Sequence, residues 1–103
     1  MIDSNKIARI IDLRASLRSD DPKISDYWQQ LKDILTMDIS ETIEYLQKCS
    51  EHEAYWVSEV FDDIAEVFGS EEIIRVFKGL AKKYPKIDFT KDIEHAIKAL
   101  NSL

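Results

Sequence analysis

The chain of 103 residues has one cysteine, two glycines and two prolines. A single cysteine, Cys49, excludes an intrachain disulfide and gives no sign of an oxidising compartment. So few turn-forming residues argue against a many-stranded β fold, which needs a Gly, Pro or Asn signal roughly every ten residues. Long apolar runs are absent too, and none approaches the ~18 residues of a membrane span. The N-terminus MIDSNKIARII has an acid where a secretory signal has a basic flank, so the expected location is cytoplasmic. Repeats, low-complexity tracts and linkers are also missing, and the expectation is one domain over residues 1–103.

What the chain does have is helical periodicity. Hydrophobic residues make up 45% and charged residues 33%, the balance of a globular protein that can build its own core. Ile7, Ile10, Ile11, Arg14 and Leu17 follow helical spacing and predict a first helix from about Ser4 to Arg18. Asp21 and Pro22 read as the cap and first residue of a second helix, with Ile24, Tyr27, Trp28, Leu31 and Leu35 on its inner face, ending near Thr36. Asp38 with Glu41, and Ser50 with Glu53, have capping-box spacing and open a third and a fourth helix. The fourth carries the cleanest stripe, Val57, Val60, Phe61, Ile64, Val67 and Phe68, and stops at Gly69. Ser70 starts a fifth helix that Pro85 ends, and Asp88 or Thr90 caps a last one. The expected architecture is all-α: a compact bundle or hairpin stack of about six antiparallel amphipathic helices.

Charge is uneven along the chain. Residues 1–37 are neutral, residues 38–72 carry a net −10 with Lys48 as their only base, and residues 73–103 carry a net +4. Such an acidic zone attracts basic partners and repels nucleic acid and anionic membrane, so neither of those is expected as a partner. Placed on one continuous fourth helix, Tyr55, Glu59, Asp62 and Glu66 fall at about −140°, −100°, −160° and −120° from Val60. They form an outward row flanked by Asp63 and Trp56, and these six residues are the candidate partner-binding face.

The remaining motifs are incomplete for chemistry. Cys49 and His52 have C-x-x-H spacing without the second pair a structural zinc site needs. Asp92 and His95 have D-x-x-H spacing without the partners of a di-iron bundle. There is no phosphate loop, nucleophile elbow or triad, so no catalytic residue, metal or cofactor is expected. The basic stretch Lys78, Lys82, Lys83 and Lys86 lies at a helix C-terminus, where the helix dipole favours cations.

Residues 58–96, with VFDDIAEVF, then Ser70 and two acids, then KKYP and a final D-I-x-x-A helix, resemble small helical bacterial immunity proteins. Those proteins are encoded beside polymorphic or contact-dependent growth-inhibition toxins. The resemblance implies a non-enzymatic inhibitor whose partner is a cognate toxin domain, often a nuclease, with a basic surface. It carries over no fixed binding residues. The alternative is a helical adaptor or regulatory module, with a homodimer joining the acidic zone to the C-terminal lysines.

Overall fold

The computed structural model describes residues 2–102. Helices α1 (Ser4–Ala15), α2 (Ile24–Leu35) and α3 (Ile39–Lys48) are followed by α4 (Glu51–Val57), a single 3-10 turn (Ser58–Val60) and α5 (Phe61–Phe68). Then come α6 (Glu71–Lys83) and α7 (Thr90–Asn101), and the described residues contain no strand. The fold is all-α, with a radius of gyration of 12.7 Å and nearly equal axes of 31, 29 and 28 Å. About 13 Å is usual for a single compact domain of this length.

Most helix starts follow from local chemistry. The Asp3 carboxylate accepts the amides of Asn5 and Lys6, Asp38 accepts Glu41 N, and Ser70 accepts Glu72 N. Ser50 and Glu53 form a complete capping box. Gly69 closes α5 at φ 56°, a left-handed conformation that glycine reaches without a Cβ clash. Helix ends are tied by tertiary bonds: the buried Thr42 hydroxyl donates to Leu35 O, and at the end of α3 Lys83 Nζ and the Tyr84 hydroxyl donate to Gln47 O and Cys49 O. These satisfy carbonyls that have no partner within their own helix.

Three expectations need correction. First, α1 stops at Ala15 rather than Arg18, because the Ser16 hydroxyl folds back on Leu13 O and Leu17 N bonds Arg14 O across three residues. Second, α2 starts at Ile24. The Asp21 carboxylate takes Lys23 N in a turn before the helix instead of capping it with Pro22 inside. Third, the fourth helix is not continuous. Val60 leaves helical geometry at φ −116°, ψ 14°, and α5 starts afresh at Phe61. Counted from Phe61, the buried side of α5 centres on Phe61, Ile64, Ala65 and Phe68, and Val67 lies roughly 110° away from it. Val67, expected in the inner stripe, is 60% exposed.

The core joins all seven helices. Phe61 stacks on Phe77 with centroids 3.8 Å apart, and Phe89, from the loop before α7, closes the cluster 5.9 Å from Phe61. Helix α5 packs along α7, with α1 on α2, α3 on α6 and α1 on α4 around this pair.

Candidate functional site

The corner where α1, α2 and α4 meet is organised by one buried charge. Arg14 follows Ile7, Ile10 and Ile11 on the buried face of α1 and is only 7% exposed. A guanidinium there needs a counter-charge and acceptors. Glu59, in the 3-10 turn, supplies both: Arg14 Nε donates to Oε1 at 2.9 Å and Nη2 to Oε2 at 2.8 Å. Trp28 Nε1 of α2 donates to the same Oε1 at 3.0 Å. The guanidinium lies 4.7 Å from the centre of the Trp56 ring, a cation–π contact. Tyr55 sets its ring nearly perpendicular to Trp56, at 87° and 4.9 Å. His52 and Asp12 face each other at 3.7 Å along the same α1–α4 seam.

The six residues expected on one partner-binding face are thereby divided. Glu59 turns inward and bridges α1 to α2, which corrects its placement on the outer row. The cause is the 3-10 turn, which changes the helical phase between Trp56 and Phe61. Trp56 is half-buried beneath Arg14. Tyr55 remains outside, 49% exposed. Asp62, Asp63 and Glu66 belong to the new helix. Asp62 accepts Asp63 N at 3.0 Å, Asp63 faces Lys32 at 3.9 Å, and Glu66 is exposed. Partial burial and the neighbouring Asp62 hold the Asp63 carboxyl above its ordinary range. Arg14 and Trp28, which hold the corner together, were absent from the sequence-derived site. The available signal was an arginine at a stripe position of an apolar helix face.

The concentration of acids has a local cause as well. Between residues 38 and 72 four helices begin, α3 to α6, and eight of the eleven acids are their caps or lie in their first turns. Carboxylates are favoured there by free amides and by the helix dipole. Glu44 pairs with Lys48 and Glu59 with Arg14, which leaves Glu66 as the acid with neither role. Glu53 does double duty, accepting Ser50 N at 3.1 Å and the Tyr45 hydroxyl at 2.8 Å. Burial, then that carboxylate, push the Tyr45 phenol far above its ordinary value.

The sequence motifs disperse. Cys49 is buried, its thiol directed at Leu46 O at 3.3 Å and pushed up to about 11 by burial and by Glu53, whereas His52 is on the surface toward Asp12. A thiol so protonated is a poor nucleophile and a poor ligand. On α7, burial raises the Asp92 carboxyl. His95 and the Ser58 hydroxyl draw it back, and Glu59 and Asp62 add to the rise. Among the described residues, no group of three or more His, Cys, Asp or Glu is arranged to hold a metal ion, and no helix is long and apolar enough to cross a membrane. Compared with known proteins, the chain matches no family model, no curated protein and no solved structure.

Proposed function

We infer that the chain is a non-catalytic binding protein, and specifically an immunity-type inhibitor that covers the basic surface of a toxin domain. One observation carries the reading: Tyr55 is an exposed aromatic ring held in place before any partner arrives. It rests edge-on against Trp56, which is itself fixed beneath the Arg14–Glu59 pair. A half-exposed tyrosine with its orientation already set loses little entropy on binding, and such aromatics dominate interface energies. Glu51 lies one helical turn before Tyr55, and the acids of α5 and α6 extend the negative field beyond it. A nuclease presents a basic surface to its substrate, so that field suits it as a target and steers the encounter. The resemblance of residues 58–96 to helical immunity proteins supports the same reading.

The test is co-expression with the product of the adjacent gene, followed by binding kinetics on the purified pair. The unaltered chain should protect cells from that product. Tyr55→Ala should raise the dissociation rate at least tenfold and up to about thirtyfold, a cost of roughly 1.4–2 kcal/mol. Glu51→Lys should mainly slow association. Full protection and unchanged kinetics with Tyr55→Ala would reject this face as the interface.

A further inference from the structure

A second surface lies between α3 and α6, in a groove of about 370 Å³ floored by Ile43, Leu46, Val76 and Leu80. Along its α6 edge Arg75, Gly79 and Lys83 follow one another at intervals of one turn, so a glycine sits between two cations on one row. Gly79 is in regular helix, where glycine is unfavourable, and a Cβ built on it meets nothing within 4 Å. Neither backbone geometry nor packing within the chain requires glycine there. The missing Cβ leaves the helix backbone open to close approach from outside. Lys83 already donates to Gln47 O, whereas Arg75 has no hydrogen bond or ion pair among the described residues.

We propose that this groove binds a second copy of the chain, receiving the end of that copy's α5. The same sequence carries the complementary half. Val67 is 60% exposed, and beside it stands Glu66, an acid without an ion pair among the described residues. Val67 supplies an apolar knob for the floor, and Glu66 supplies the carboxylate for Arg75. The charged lining of the groove, Arg75 and Lys83 against Glu72, is net basic and suits an acid on the entering segment. The turn at Gly69 and Ser70 joins the knob-bearing helix to the groove-bearing helix. A two-fold axis near that corner brings each knob to the other copy's groove, the reciprocal arrangement of an isologous dimer. Because the contact uses one knob and one shallow groove per copy, the dimer is weak, with dissociation in the range of about 10 µM to 1 mM.

Sedimentation equilibrium on the purified chain tests this without any other component. The unaltered chain should pass from monomer to dimer over that concentration range. Arg75→Glu and Glu66→Lys should each weaken the dimer at least tenfold. Glu66→Lys lowers the net negative charge, so its effect cannot come from general repulsion. An equimolar mixture of the two variants should dimerise again, because each knob then meets a groove of opposite sign. The double variant, whose net charge equals that of the parent, should do the same. Gly79→Leu should fill the groove and abolish dimerisation while leaving the helical circular dichroism spectrum unchanged. A parent chain that stays monomeric at 1 mM, or a dimer that withstands the single changes or is not restored in the mixture, would overturn the proposal.

Discussion

Replacing Glu59 with alanine separates the two accounts of the fourth helix. On a continuous outward row Glu59 is a surface acid, and its loss costs no more than about 0.5 kcal/mol. Among the described residues it is the only acceptor for a guanidinium whose side chain is 9% exposed, and it also holds the Trp28 indole. Removing one partner of a buried ion pair costs roughly 3–5 kcal/mol. Glu59's own side chain is 25% exposed, so water can reach the vacated position and the cost falls toward about 2–3 kcal/mol. For a domain of this size that lowers Tm by roughly 10–20 °C, measurable by circular dichroism and by urea unfolding. Glu59→Gln keeps an acceptor for Trp28 and should lose less, about 1–2 kcal/mol. A double-mutant cycle with Arg14→Met should return a coupling of about 1–3 kcal/mol. Glu59→Ala within 0.5 kcal/mol of the parent, with no coupling to Arg14, would refute the reasoning and restore the outward row.

Phe89 is 1% exposed beside Phe61, so Phe89→Ala should cost about 3–5 kcal/mol in urea unfolding; a loss below 1 kcal/mol would show the loop to be detachable. Asp92 keeps its proton above its ordinary 3.8, so the folded state binds more protons than the unfolded state just above that pH. Stability from this residue is then present at lower pH and lost as pH rises through the folded pKa, and Asp92→Asn should gain in Tm relative to the parent between pH 3 and pH 7. An Asn variant that loses ground over that interval would contradict the assignment. Cys49, buried with its thiol pushed up to about 11, should react with iodoacetamide at pH 8 at least a hundredfold more slowly in buffer than in denaturing urea. Comparable rates would place the thiol at the surface.

Features governed by neighbours in sequence were legible from the residues themselves. Asp38, the Ser50–Glu53 box, Gly69 and Ser70 each act within a few residues of their own position, and each delimits a helix as read. The break at Ser58–Val60 was not legible, because Val57, Val60, Phe61 and Ile64 are buried whether the helix continues or restarts. The restart is consistent with a contact 45 residues away in sequence, the Arg14–Glu59 pair, which local periodicity does not register. Phe89 escaped notice for a related reason: helical periodicity ranks residues within helices and is silent about loops. The outward row inherited the error of the helix beneath it. Tyr55 was less affected because it precedes the phase change. Which macromolecule meets it is a property of two surfaces, and one sequence holds only half of that information.

The two tryptophans of the chain both belong to the Arg14 corner, Trp28 through its indole nitrogen and Trp56 through its ring face. Intrinsic fluorescence is therefore a local optical probe of this one junction and not an average over the molecule. The Trp56 ring stands edge-on against Tyr55 with centroids 4.9 Å apart, and Tyr55 is the residue on which a partner would land. Binding there can be followed by emission wavelength and quenching without attaching a dye. Heating monitored by emission and heating monitored by helix content would coincide in a cooperative chain, and an earlier optical transition would mean that α1 parts from α4 before the Phe61–Phe77 core gives way.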